Sequence, residues 1–239
     1  MTEDVVGIHD RLARRQQLPE EVAGYVRELI ITGAVRPGEF LRMERIAEAV
    51  GVSNTPVREG LLILRSEGLV GLVPRRGFVV SPFSRQDVRD LFWAQAQLAR
   101  ELAARAARNI SPDQLADLEV ILAQYDAAVA EGDENRIGDL GHLFHRRINL
   151  AADSHRLALL LSSVVRQLPN RFYAAIETQA STGEDDHQLL IEALRRRDVR
   201  QATSLMERHI LARGDSLIEI LEQRGLWDNE APDPQRSAS

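Results

Sequence analysis

The 239-residue chain contains no cysteine. That excludes a disulfide framework and a thiolate metal site, and it suits a reducing cytoplasm. Lysine is absent too, all 30 basic residues being arginine. We read this as compositional bias, with no functional weight beyond arginine's aptitude for phosphate and guanine contacts. No stretch approaches the roughly 18 apolar residues of a membrane span, and Met1 to Gln17 lacks the continuous apolar segment of an export signal. Membrane insertion and secretion are therefore not expected. Nor is there overall positive charge. The net charge of −6 argues against a protein that coats nucleic acid indiscriminately, so any basic surface must be local.

What is present is 44% hydrophobic and 28% charged, enough for one large domain or two ordinary ones with real cores. Val22, Val26, Leu29 and Ile30 share one helical face, and "GAVRPGEFL" then breaks the helix. Ile46, Ala47 and Val50 mark a short second helix closed by Gly51. Ser53 and Thr55 offer N-cap chemistry ahead of Pro56, in the first turn of a third helix that Gly68 stops. "LVGLVPRRGFVV" reads as two short strands around a Pro-Arg-Arg-Gly turn. Helix, helix, turn, helix, hairpin is the order of a winged helix-turn-helix.

Beyond Ser81-Pro82 the spacing becomes wholly helical. Val88, Leu91, Leu98 and Leu102 are followed by Leu115, Leu118, Leu122, Tyr125 and Val129. Further helices are expected at Asp133 to Ala152, at Arg156 to Ala180 with a kink at Pro169, at Asp185 to Arg196 and at Asp198 to Glu222. The fold class is therefore mainly α, with an N-terminal winged helix-turn-helix and a C-terminal antiparallel all-helical bundle. The expected divisions are a flexible tail over 1–17, the winged domain over 18–82, the helical domain over 83–225 and a second tail over 226–239.

In a helix-turn-helix the second helix enters the major groove by its N-terminal end, where polar side chains must cluster while the rest packs on the domain. Ser53, Asn54, Thr55 and Arg58 occupy that end of "VSNTPVREGLLILRSEGLV". An amide reads adenine, a threonine touches phosphate or a thymine methyl, and an arginine holds phosphate or guanine. A capped surface helix with Arg58 tethered to Glu59 is the plainer alternative. Arg75 and Arg76 before Gly77 suit a wing beside the DNA backbone or in the minor groove, a plain solvated turn being the alternative. Between Arg42 and Arg76 six arginines, Arg42 and Arg45 among them, face four acids, a local excess of about +2 in an acidic chain.

"GVSNTPVREGLLILRSEGLV" followed by "PRRGFVV" resembles the signature of the GntR family of bacterial transcription regulators, over about Pro19 to Val80. The resemblance implies operator binding by a homodimer. Arg58 matches the family's helix arginine and Gly77 its wing glycine. Asn54 stands where the family usually has an arginine reading a base, and Glu44 where a basic residue often contacts DNA, which implies a different operator sequence.

The chemistry of the helical part rests on histidines. His145, His187 and His209 lie on three different expected helices, each at a spacing that turns it inward. Each singly is more often a core histidine, but three together could hold one divalent ion such as zinc or nickel. His142 is close enough on its helix to substitute for one of them or to orient one. His155 and His9 read as helix-start and tail residues. "FHRRI", "DDHQLLIEAL" and "MERHI" resemble the FCD effector domain of the FadR subgroup, over about Gln86 to Ile220. That resemblance implies a metal site of one aspartate and three histidines and a small organic acid as effector. Here Gly141 replaces the aspartate, and Gln95 and Ala99 replace the arginine and acid of the subgroup's "R..LE". An effector carboxylate would then meet an open ion, with Gln95 as a further contact and Arg166 or Arg171 either a charge-assisted contact or a solvated arginine.

The favoured function is a ligand-responsive repressor of transcription on a palindromic operator. Two alternatives are a metal-dependent hydrolase or lyase, for which no clear general base is present, and a DNA-binding module whose bundle only dimerises.

Overall fold

The computed structural model describes residues 3–169, 172, 175, 176 and 186–227, with residues 3–16 described by backbone alone. The chain divides into two compact units. One comprises the described part of 1–84 and 221–239, the other the described part of 85–220.

In the first unit, helix α1 (Glu3–Ile31) begins well before the expected start near Pro19, which lies inside it. The segment expected as a tail holds a single breaker, Gly7, and extending a helix that already exists is far easier than nucleating one. A short strand β1 (Phe40–Leu41) precedes α2 (Met43–Val50), α3 (Asn54–Ser66), β2 (Val70–Val73) and β3 (Gly77–Val80). Gly51, at φ 75°, ends α2 in the left-handed conformation that only glycine adopts cheaply. The sheet is antiparallel in the order β1-β3-β2, with Phe40 opposite Val79 and Val73 opposite Gly77. β1 is too short for any sequence period to reveal it.

Val22, Val26, Ile46, Val57, Leu61, Leu64, Phe78 and Val80 form the core of this unit. α1 and α3 cross at Gly60, where a Cβ would lie 2.7 Å from the Pro19 carbonyl oxygen and 2.9 Å from Val22 Cβ. Backbone cannot yield as a flexible side chain does, so Gly60→Ala is expected to destabilise this unit by about 1–3 kcal/mol. Thermal denaturation checks this, and an unchanged midpoint would overturn it. Nearby, Arg27 donates from Nε and Nη2 to Glu67 at 2.8–3.0 Å, both side chains being largely withdrawn from solvent.

The C-terminal segment completes the unit. Trp227 is buried, its Nε1 donating to the Phe83 carbonyl at 2.7 Å. The expected tail from residue 226 is thus anchored at its start, because a large indole that buries its ring also needs a partner for its N–H.

The second unit holds α4 (Arg85–Asn109), α5 (Pro112–Glu131), α6 (Glu134–Ala151), α7 (His155–Val165), α8 (Asp186–Arg195) and most of α9 (Val199–Gln223). The links at Ile110-Ser111 and Gly132-Asp133 are so short that α4, α5 and α6 must reverse direction in turn. Ser111 and Gln114 form a reciprocal capping box at the start of α5. The helix expected from Arg156 through Pro169 to Ala180 instead ends at Val165. Tight bonds from Gln167 N to the Val164 oxygen and from Leu168 N to the Val165 oxygen close it, because the residue before a proline is disfavoured in the α conformation. Beyond Pro169, Phe172, Ala175 and Ile176 are helical, in keeping with a helix kinked at the proline, while the rest of the expected continuation to Ala180, Arg171 with it, lies outside the described residues.

Candidate functional site

The polar end of α3 stands clear of the first unit's core. Ser53, Asn54, Thr55 and Arg58 are exposed, whereas Pro56, Val57, Gly60, Leu61 and Leu64 are buried. This is the division a groove-reading helix requires. Ser53 occupies the N-cap position with extended backbone, but its hydroxyl makes no capping bond, contrary to the sequence expectation. The first N–H groups of α3 are therefore not satisfied by that side chain, which leaves them able to meet a phosphate. Arg58 forms no ion pair among the described residues, so the tether to Glu59 is not made.

Arg42 and Arg45 are exposed on and before α2. At the wing, Arg75 takes a left-handed conformation (φ 63°) and Gly77 has φ 101°. The Arg76 guanidinium lies 4.4 Å from the centre of the Phe40 ring. Sequence reading missed Phe40, whose role follows only from β1 pairing beside the hairpin. A cation over a ring face is held with little loss of its hydrogen-bonding capacity, which pre-orients Arg76 at the wing.

In the second unit α6, α8 and α9 bring His145, His187 and His209 together. One ring nitrogen from each lies within 4.8 Å of the others. His145 Nε2 and His209 Nε2 are 3.0 Å apart, within hydrogen-bond reach of each other and near enough that both could serve one ion. His187 packs edge-on to the rings of Phe144 and Tyr125. Burial first, and then the charges of Arg213, His187 and Arg208, hold the His209 imidazole well below its ordinary pKa. It is therefore neutral at pH 7, as a ligand must be.

Asp186 sharpens the arrangement. Its Oδ2 lies 3.3 Å from His209 Nδ1 and its Oδ1 accepts from Arg208 at 2.9 Å. A proton on Nδ1 donated to this carboxylate leaves the Nε2 lone pair facing His145 and His187, the arrangement that orients metal-binding histidines elsewhere. In the sequence "EDD" before α8 reads as a helix-dipole feature. Its contact with His209 depends on α9 packing alongside. The donor set and its outer carboxylate fit a divalent ion. His142 lies one turn from His145 on α6 and lines the adjoining space without joining the cluster.

That space, a partly open cavity of about 60 Å³, is bounded by Phe92, Gln95, Gly141, His145, Met206 and Arg213, among others. His145 is the one member of the cluster that lines it, so an ion held there would meet the cavity at its edge. Gln95, expected at an effector site, is buried in this wall. Arg166 is not: it is exposed at the end of α7, its Nη1 donating to Ser162 Oγ at 2.9 Å. The cavity's cation is instead Arg213, which is buried and donates to the His209 carbonyl at 3.3 Å. Sequence periodicity could have placed Arg213 one turn beyond His209 on the same helical face. Gly141, at the position of the aspartate, is buried and lines this space.

Residues 18–80 match the sequence description of the gntR family of bacterial regulatory proteins, and residues 90–212 match that of the FCD domain. The HTH-type transcriptional regulator McbR of Escherichia coli (strain K12) is 27% identical over 182 residues, 74% of this chain and 82% of that protein. The HTH-type transcriptional repressor GlaR of the same strain is 29% identical over 192 residues, 76% of this chain and 87% of its own length. The solved structure of E. coli McbR/YncC superposes with a TM-score of 0.63 at 26% identity, over 87% of this chain and 98% of that one. A GntR family regulator from Pseudomonas syringae pv. tomato, at 23% identity and a TM-score of 0.54 over 90% of each chain, shows likeness of fold. These relatives and domain descriptions are those of transcription regulators, not of enzymes.

Proposed function

The chain belongs to the GntR family of bacterial regulators and carries an FCD domain, and on that premise we propose that it is a homodimeric, metal-assisted, ligand-responsive repressor acting in the cytoplasm. A winged domain over 18–82 would bind a palindromic operator, and a helical domain over 83–225 would sense a small organic acid. The likeness to a named repressor favours repression. Among the described residues no helix is long and apolar enough to cross a membrane.

The observation that carries the sensing role is the convergence of three histidines beside a cavity that also holds a buried guanidinium. When bound, a zinc or nickel ion would offer a Lewis-acidic site for a carboxylate, and His145, His187 and His209 would hold it. Arg213 would add a charge-assisted contact and Gln95 an amide contact to the same anion. An effector that fits the DNA-incompetent arrangement better lowers operator affinity by the factor by which DNA lowers effector affinity.

On DNA, Asn54 and Thr55 would read base edges. Arg58 and the N-terminus of α3 would hold phosphate, as would Arg42, Arg45 and Ser53. Arg75 and Arg76, with the tight turn at Gly77, would flank the groove. The test is a titration of operator fragments from the chain's own promoter region at several salt concentrations. Two protomers should bind per palindrome, with half-sites about 34 Å apart or a multiple of that. Arg58→Ala should weaken binding to operator and unrelated DNA alike and lower the salt slope by about one. Asn54→Ala should change base preference at one position by about 1–3 kcal/mol. A monomeric complex, or identical sequence preferences for wild type and the Asn54 variant, would overturn this assignment of the DNA-binding surface.

A further inference from the structure

The histidine cavity has a neighbour. A second, more open space of about 380 Å³ lies between α6 and α7, and five residues line both: His142, His145, Asn149, Leu161 and Val165. The two spaces therefore share one wall. The outer space is bounded on its own side by Leu150, Ala158 and Leu159 along one stretch and by Arg146, His155 and Ser162 along the rest. Leu150 and Leu159 are 49% and 46% exposed, a large apolar area to leave in water at the rim of an opening.

Asn149 stands in the wall common to both spaces, and its Oδ1 is shielded from solvent without a hydrogen-bond donor among the described residues. A carbonyl-type oxygen stripped of water and given no donor is costly, which makes it a natural receiver for a donor on a ligand. Asn149 follows His145 by one helical turn on α6, about 6 Å along the same face. That span fits an acid whose N–H or O–H lies one or two bonds from the carboxylate carbon.

We propose that the two spaces form one bent binding site, and that the effector is an acid with an adjacent hydrogen-bond donor and an apolar tail, the chemistry of an N-acylamino acid. The inference rests on the carboxylate-sensing reading above. The carboxylate occupies the inner space beside His145 and Arg213, and the donor meets Asn149 Oδ1. The tail runs out between α6 and α7 over Leu161, Leu159 and Leu150. The polar wall thus selects the head group and the apolar rim the chain length.

The test uses the full chain loaded with zinc and a series of probes: N-acetylglycine, N-butyrylglycine and N-hexanoylglycine, each beside its O-acylglycolate counterpart, which replaces the N–H by an ester oxygen. Calorimetric titration should show binding that tightens about tenfold for each added pair of methylenes. The amides should bind about fivefold better than the esters. Ala158→Phe, which fills only the outer space, should abolish the dependence on chain length while leaving N-acetylglycine binding and zinc content unchanged. Asn149→Leu, close in size, should abolish the preference for amide over ester while keeping the dependence on chain length. If N-acetylglycine binds in a zinc-dependent way but longer chains bind no better, the outer subsite is wrong and the carboxylate reading stands. If no acid of either series binds the zinc-loaded chain, both are wrong. If Ala158→Phe weakens all probes equally, the two spaces are not distinct parts of one site.

Discussion

Replacing His187 and His209 together by alanine is expected to abolish metal binding, and with it the response of operator binding to acids. Both nitrogens come from buried side chains in a cluster whose ligand atoms lie within 4.8 Å of one another. With two of three ligands gone, only His145 remains, and a single imidazole does not retain an ion against buffer. The readouts are metal content by elemental analysis and the rise in melting temperature on adding zinc. A ligand present at a hundred times its dissociation constant stabilises the fold by about 2.7 kcal/mol, and the double variant should show none of that rise.

Removing two core side chains also loosens packing, so a gentler variant separates the causes. Asp186→Asn leaves every proposed ligand in place and removes the charge that orients His209 Nδ1. It should lower zinc affinity by about 10–100-fold, with the metal-free melting temperature nearly unchanged. Stoichiometric metal in the double variant would refute the histidine centre. Unaltered affinity in Asp186→Asn would refute the orienting role of the carboxylate.

The second large effect concerns stability of the winged unit. Glu67→Ala leaves the Arg27 guanidinium, 8% exposed, without its bidentate partner. Uncovering one half of a buried pair typically costs about 3–5 kcal/mol, and the 14% exposure of the Glu67 side chain argues for the lower end. Such a loss is a large part of the stability of a unit this small. Chemical denaturation should show an early transition for the winged unit, with the helical unit following at its ordinary midpoint. Combining Arg27→Met with Glu67→Leu should recover much of the loss, because apolar residues of similar volume replace both charges. A Glu67→Ala transition within about 1 kcal/mol of wild type would show that solvent reaches the pair and screens it.

The order of elements in the winged unit, the ends of α2 and α3 at Gly51 and Gly68, and the inward set of each helix face are local properties, and the sequence determines them by itself. A period of three to four places His145, His187 and His209 on buried faces whatever their neighbours, and an alternation around Pro-Arg-Arg-Gly makes a hairpin. Other features join residues far apart in the chain, and no period or cap can encode them. The contact of Asp186 with His209 needs α8 and α9 side by side, and the stacking of Arg76 on Phe40 needs β1 on the outer edge of β3. The buried cation beside the histidines is Arg213 and not Arg166 because α7 stops before Pro169 and leaves Arg166 in solvent. Helix faces follow from neighbours within one turn, whereas the partners of a buried charge follow from which faces meet, and that choice is made only when the whole core closes.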